Sequence, residues 1–285
     1  MTTVQVVRTV PDLREALAPA RRSGQVVGLV PTMGFLHEGH VSLLKAARER
    51  SDVVVMSLFV NPAQFGEGED LDSYPRDEER DLVKAAESGA DIFFAPGSGE
   101  VYPDGFSTHV EVEGLTDVLC GDPARRGSGH FRGVTTVVAK LLNMADPDLV
   151  FFGQKDAQQA IVVRRMARDL DFRAEVVVLP TVREPDGLAL SSRNAYLEPA
   201  ERERAAAINR ALEAAGSSTP AGVDGALDAA RTVLAEAEIE PEYLEARYAD
   251  DLQPAQSFNG RPVLVAVAAR VGRARLIDNV VIEPE

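Results

Sequence analysis

The chain has 285 residues, enough for one large domain and a smaller one, with 45 % apolar and 26 % charged residues as in ordinary globular proteins. Its formal charge of −15 argues against a nucleic-acid backbone or an anionic membrane as the main partner, though a basic pocket can sit inside an acidic shell. Cys120 is the single cysteine, which excludes an intrachain disulfide, fits a reducing compartment, and reads most simply as a small buried side chain. The N-terminal residues carry no charged-then-apolar pattern and no apolar run reaches the ~18 residues of a bilayer span, so a cytoplasmic protein is expected.

In chain order, residues 4–7 read as a short strand, and Thr9 with Pro11 opens a helix to about Arg22. Residues 26–30 (VVGLV) suit a buried strand, ended by Pro31, with Gly34 free to turn. From Gly39 onward Val41, Leu43, Leu44 and Ala47 recur at helical spacing. Residues 52–60 (DVVVMSLFV) form a continuous apolar strand of the kind parallel sheets bury on both faces. It empties into the loop NPAQFG at 61–66. Residues 77–88 read as a polar amphipathic helix closed by Gly89, and 91–95 as a strand. Between about 96 and 129 the pattern weakens, and RRGSG at 125–129 reads as a mobile flap. A helix is expected from about Gly133 to Ala145, then a strand at 149–152, a turn at 153–156, a helix at 157–170 and a strand at 174–179.

This alternation implies right-handed βαβ crossovers, an α/β fold and a parallel, doubly wound sheet over residues 1–181. The character then changes. Residues 199–215 and 223–237 read as helices around the loop GSSTPAG, and 243–248, 263–271 and 274–282 as strands, the last two joined by Gly272-Arg273. A small α+β domain with an antiparallel sheet is expected over 182–285.

Three loops that follow strands, at 31–40, 61–66 and 153–156, converge on one carboxyl edge of such a sheet, with LSSR at 190–193 lying at the domain junction. His37 and His40 fall near a helix start, where unpaired N–H groups and the positive dipole end favour an anion. Two His, one Lys, one Arg, two Ser and several amides, with few carboxylates, suit a polyphosphate and developing negative charge rather than paired-carboxylate chemistry. Other readings use the same residues. His37 and His40 could be metal ligands, without a third His or Cys cluster to support them, or surface histidines without a role. Lys155 could be a solvated charge, although its place after a buried strand turns it toward phosphate. Ser191 and Ser192 either cap a helix at about Asn194 or contact phosphate. Neither GxxxxGK(S/T) nor GxGxxG occurs, so a bound nucleotide must be held by another device.

An ordered set of segments then becomes recognisable: PTMGFLHEGH at 31–40, FVNPAQF at 59–65, YPRD at 74–77, HFRGVTTVV at 130–138, FFGQKDAQQ at 151–159, DGLALSSRNAYL at 186–197 and ARLIDN at 274–279. The chain resembles the pantothenate synthetase (pantoate–β-alanine ligase) family over nearly its whole length. HxGH alone is shared by many adenylyl-transferring enzymes of the HxGH nucleotidylyltransferase superfamily, but the ordered set is specific.

The resemblance implies a Rossmann-like ATP- and pantoate-binding domain at 1–181 and a lid domain at 182–285. The implied activity is ATP-dependent ligation of (R)-pantoate to β-alanine through pantoyl adenylate, releasing pyrophosphate and AMP. Met33, Gly34, Phe35, Leu36, His37, Glu38, Gly39 and His40 would line ATP, His37 and His40 donating to its phosphates, with His40 the family's proposed proton donor. Gly153, Gln154, Lys155 and Asp156 would hold the nucleotide, Lys155 reaching the phosphates, and Val182 would meet adenine through its backbone. Leu190, Ser191, Ser192 and Arg193 would close over the triphosphate. Gln64 and Gln159 would bind pantoate, Gln64 also lying near β-alanine.

Mg²⁺ would accompany ATP, with no protein ligand identified, and the family forms homodimers through the larger domain. Gln154, Leu190 and Ala157 depart from the commonest residues, Glu, Met and an aromatic. The segment between Arg126 and His130 is one residue longer than usual, so no role is carried onto Arg125 or Arg126. Two other activities share parts of this pattern. A nucleotidylyltransferase is disfavoured by the Gln64/Gln159 pair and by the lack of a basic site for a phosphorylated acceptor. A non-catalytic adenylate sensor is disfavoured by intact His37, His40, Lys155 and Arg193.

Overall fold

Short Val-rich runs build the strands of the larger sheet, and amphipathic helices return the chain so that each pairing is parallel. The computed structural model describes residues 4–66 and 68–284; the outermost residues of the expected domain limits, 1–3 and 285, lie outside that description. The elements run β1 (Gln5–Val7), α1 (Val10–Arg22), β2 (Val27–Thr32), α2 (Glu38–Arg50), β3 (Val53–Leu58), α3 (Glu78–Glu87) and β4 (Ile92–Phe94). They continue with α4 (Ser98–Val101), α5 (Ser128–Ala145), β5 (Leu149–Gly153), α6 (Ala157–Asp169) and β6 (Glu175–Leu179).

The six strands lie in the order β1-β4-β3-β2-β5-β6. From β2 the chain steps through β3 and β4 to one side, then through β5 and β6 to the other, so the winding reverses between β2 and β5. Only Gly28–Leu149 and Leu29–Val150 pair there, and the two strands part before their carboxyl ends. Such a switch point leaves a crevice for ligands. Pro31, expected to end its strand, instead lies inside β2 opposite Ser57 of β3. It is tolerated because β2 is paired on one side only at that height.

Alternation sorts the side chains between two cores. Val27, Leu29 and Val55 join the layer of α1, α5 and α6, whereas Val30, Val54 and Met56 join the layer of α2 and α3. Helix α5 starts at Ser128, five residues before the expected Gly133, so Ser128 and Gly129 of the expected flap belong to a helix. Glycines made the segment read as a loop, but Phe131 is buried in the core and Gly127, at φ 76, turns the chain into the helix.

The remaining chain forms α7 (Pro199–Ala205), α8 (Ala207–Ser217), α9 (Gly222–Glu236) and the antiparallel strands β7 (Pro241–Tyr248), β8 (Val263–Val271) and β9 (Ala274–Ile282). The single helix expected at 199–215 is therefore two, parted at Ala206. Val263, Val265 and Val267 of β8 pack under these helices, while Leu264, Ala266 and Ala268 join the core of the parallel sheet. The antiparallel sheet is thus buried on both faces, which brings β9 against the end of β5. Among the described residues no helix is long and apolar enough to cross a membrane.

One buried carboxylate shapes the loop after β2. Asp81, in the first turn of α3, is fully buried and accepts from Phe35 N–H at 2.6 Å and Leu36 N–H at 2.7 Å. Gly34 and Phe35 sit at φ 85 and 52, a left-handed pair that turns these N–H groups inward. Removing the acceptor leaves buried donors unpaired, at about 1–3 kcal/mol each. Asp81→Ala, which strands two donors, is expected to lower the melting temperature by roughly 4–24 °C in calorimetry, at 2–4 °C per kcal/mol for a chain of this size. An unchanged melting temperature would show that the loop is held by other contacts.

Candidate functional site

The loop after β2 delivers two imidazoles to the crevice. His37 caps α2, its Nδ1 accepting from Gly39 N–H at 3.2 Å, and His40 Nδ1 accepts from His37 N–H at 3.3 Å. Backbone donors on both Nδ1 atoms put the proton of each neutral ring on Nε2. The ring centroids lie 4.1 Å apart. A Cβ on Gly39 would stand 2.9 Å from His37 Cε1, so the residue between them has room for hydrogen only. Loss of water lowers His37 to about 4, with the Lys155 charge adding to it. Enclosure in the cleft holds His40 well below the usual histidine range, followed by His37 and Lys155. Both rings are therefore neutral at pH 7 and offer Nε2–H donors at the N-terminus of a helix. Met33 lines the same cavity; Gly34 and Phe35 shape its turn, Leu36 is buried in the core, and Glu38 points outward to within 3.6 Å of Lys84.

Across the crevice, a 3-10 turn at Gln154–Asp156 follows β5. Lys155 is 19 % exposed, with Nζ 4.0 Å from the Asp156 carboxylate, and both residues line the cavity with Gly153. Gln154 instead turns to β9, donating from Nε2 to Asn279 Oδ1 at 2.9 Å. Of the two glutamines opening α6, Gln158 is buried and tied to Cys120 N–H and to the Leu115 and Val118 carbonyls, which leaves Gln159 at the cavity wall.

The loop after β3 is fixed by Asn61, which is 1 % exposed. Its Oδ1 accepts from Ala63 N–H and Tyr102 Oη–H, and its Nδ2 donates to the Gly133 carbonyl and to Gln64 Oε1. Gln64 Nε2 lies 2.8 Å from Met33 Sδ. A Cβ on Gly133 would fall 2.1 Å from the Ala63 carbonyl oxygen, so α5 touches this loop backbone to backbone. His130 is lowered to about 4 by burial and then by Arg126, so it is neutral and donates from Nδ1 to the Gln64 carbonyl at 2.7 Å. Its Nε2 then accepts from Arg126, which also pairs with Glu69.

Beyond β6, the Val182 carbonyl accepts from Leu190 N–H at 3.0 Å. Ser191 Oγ accepts from Arg193 N–H and caps the 3-10 turn Ser192–Tyr196, so the capping role weighed for the two serines holds for Ser191, at a turn that starts two residues before Asn194, while Ser192 lies inside that turn. Arg193 is held by Asp70 through two bonds of 3.0 and 2.9 Å, with its guanidinium 5.8 Å from the centre of the Tyr74 ring.

These segments enclose one cavity of about 590 Å³. Val182, Leu190, Ser191, Ser192 and Arg193 line it opposite His37, His40, Lys155, Gln64 and Gln159, while Gly34, Phe35, Leu36, Glu38 and Gln154 stand behind its wall. Among the described residues no group of three or more His, Cys, Asp or Glu could hold a metal ion. Sequence reasoning assigned no role to Asn61, Asp70, His130 or Asn279. Asn61 carried a turn signal in its Asn-Pro pair, and His130 and Asn279 lay in recognisable motifs, but their partners are 66 to 125 residues away or across a helix.

Residues 5–281 match the model of a family described as pantoate-beta-alanine ligase. The pantothenate synthetase of Moorella thermoacetica is 52 % identical over 284 residues, 98 % of this chain and 99 % of that protein. The crystal structure of pantothenate synthetase from Thermus thermophilus superimposes with a TM-score of 0.91 at 47 % identity, covering 99 % of this chain and 100 % of the other. That of pantoate-beta-alanine ligase from Francisella tularensis, complexed with beta-gamma ATP and beta-alanine, gives 0.80 at 31 % identity, covering 97 % of each. With the family model spanning the two sheets and the loops that meet at the crevice, this chain belongs to the pantoate–β-alanine ligase family.

Proposed function

We propose that this chain condenses (R)-pantoate with β-alanine at the expense of ATP, in the cavity at the β2–β5 crevice. The observation that carries the reading is the meeting, in one cavity, of two Nε2–H imidazoles at the N-terminus of α2 and the Lys155 ammonium from the turn after β5, with amide side chains lining the same cavity. The pantoate carboxylate attacks the α-phosphorus of ATP and pyrophosphate leaves, giving pantoyl adenylate. A free carboxylate would have to expel oxide, whereas the adenylate expels AMP. The β-alanine amine then attacks the acyl carbon, loses a proton, and leaves pantothenate and AMP.

In this reading His37, His40 and Lys155 donate to the phosphates, where fixed donors stabilise charge as it moves onto pyrophosphate. Gly39 lets the two rings approach, Met33 and Gly153 give the nucleotide close backbone, and Val182 meets adenine. Gln64 and Gln159 bind pantoate by their amides, and Leu190 to Arg193 close over the triphosphate, Arg193 exchanging Asp70 for phosphate as residues 182–285 act as a lid on 1–181. Mg²⁺ is expected with ATP. The donor set fits a cation held chiefly by phosphate oxygens and water, because such sites need only one or two protein carboxylates and Asp156 presents one at the wall. When bound it would neutralise charge between the phosphates.

The decisive experiment is pantoate-dependent exchange of labelled pyrophosphate into ATP. Exchange without β-alanine, followed by pantothenate and AMP once β-alanine is added, is the expected result; ATP binding with no exchange would overturn the proposal. Lys155→Ala and His40→Ala should each slow exchange by roughly 10²–10³, since losing one preorganised donor costs about 3–4 kcal/mol at the transition state.

Stability should also depend on pH in a definite sense. His37 and His130 titrate near 4 in the folded chain, against about 6.5 when unfolded. Between these values the unfolded chain binds protons that the folded chain does not, so stability falls as pH drops from about 6.5 toward 4. Urea midpoints at pH 7, 6 and 5 should decrease in that order, and His37→Gln should flatten the slope. A slope unchanged by that substitution would assign the acid sensitivity elsewhere.

A further inference from the structure

The motif ARLIDN ends on two buried residues that have no part in the chemistry above. Asp278 and Asn279, on β9, are 3 % and 5 % exposed. The Asn279 side chain reaches across to the turn after β5, where its Nδ2 donates to the Gln154 carbonyl at 2.9 Å and to the Lys155 carbonyl at 3.0 Å. Its Oδ1 accepts from Gln154 Nε2. One amide therefore uses both donors and an acceptor on two consecutive residues of a 3-10 turn. The same strand is anchored behind it. Asp278 accepts from Arg183 through two bonds of 2.5 and 3.1 Å and from Asn279 N–H at 2.8 Å, and Arg183 also donates to the Gly187 carbonyl.

We propose that Asn279 is a positioning residue for Lys155, clamping the main chain of the 154–156 turn so that the ammonium is held in the phosphate-binding cleft. The proposal rests on the reading of Lys155 as a phosphate ligand. A 3-10 turn has poorer hydrogen-bond geometry than an α-helix and needs outside partners to fix it. Here they come from a strand more than a hundred residues away in sequence. The Arg183–Asp278 pair holds the clamp, and Arg183 lies at the start of the segment that leads to Ser191–Arg193, so the strand links the turn that carries Lys155 to the segment that carries Arg193. Asn279 need not touch a substrate to act this way.

The test is kinetic and uses the full chain. Asn279→Ala should reduce kcat/KM for ATP in pantoate-dependent exchange by about 10–100-fold, the scale expected when a catalytic group is misplaced by about 1 Å. Asn279→Asp keeps the size and the acceptor but turns an oxygen toward two carbonyls, so it should be at least as impaired. In a Lys155→Ala background the further loss from Asn279→Ala should shrink to less than about threefold, because the group it positions is gone. Equal losses in both backgrounds, with a matching fall in melting temperature, would reduce Asn279 to a structural contact and overturn the proposal. So would wild-type kinetics in both variants. Should Asn279→Ala not fold, Asn279→Asp carries the same comparison alone. A wild-type chain without exchange would instead refute the ligase reading, a distinct outcome.

Discussion

The site exists because two neighbouring parallel strands, β2 and β5, send their connections to opposite sides of the sheet. Strands wound in opposite directions cannot share a covering at their carboxyl ends, and here they hold together for only two residue pairs. Everything that follows is placement around that split. One lip carries the histidine loop and the start of α2; the other carries the turn with Lys155. The antiparallel sheet closes the far end, since β8 buries alternate residues in the parallel sheet's core and sets β9 beside β5. A proline in a central strand, usually a contradiction, is consistent with the same split.

Around the histidine loop the inward polar groups are paired, whereas Thr181 Oγ1 and Arg275 Nη2, on residues lining the same cavity, are buried without a partner. Asp81 absorbs the donors of the left-handed turn, and backbone donors occupy both inner histidine nitrogens. The outer nitrogens are thereby committed as donors before any ligand arrives. Neutral imidazoles cost little to enclose, and they give directional N–H groups without a buried charge. The fixed positive charge comes from Lys155, near Asp156, and from arginines on the wall, of which Arg193 is matched by Asp70, Arg126 by Glu69 and Arg275 by Glu242. A strongly acidic chain can in this way hold a cleft suited to a polyanion.

Much of this was legible in the sequence, for physical reasons. Buried parallel strands must be continuously apolar, so 26–30, 52–60, 149–152 and 174–179 announced themselves, and the loops after them had to share an edge. Local rules failed where tertiary contacts outweighed them. The glycines at 127 and 129 read as a flap, yet Phe131 draws the segment into a helix. The break between α7 and α8 at Ala206 has no glycine or proline to mark it. Asn279 was visible as a motif but not as a clamp, because its meaning lies in carbonyl oxygens of another strand's end. Arg193 could be placed near the cleft, but its partner Asp70 could not be named from spacing alone.

The contact between Gly133 and the Ala63 carbonyl has a consequence for redesign. Because main chain rests on main chain there, the depth at which the Gln64 segment sits is a fixed dimension of the scaffold. No exchange of neighbouring side chains can raise or lower that floor, and adding even a methyl group at 133 would push it out of register. Reshaping the cleft at this end must therefore work through side chains that line it, such as those at 64 and 159. Of these, 159 projects from a regular helix and offers the more adjustable wall.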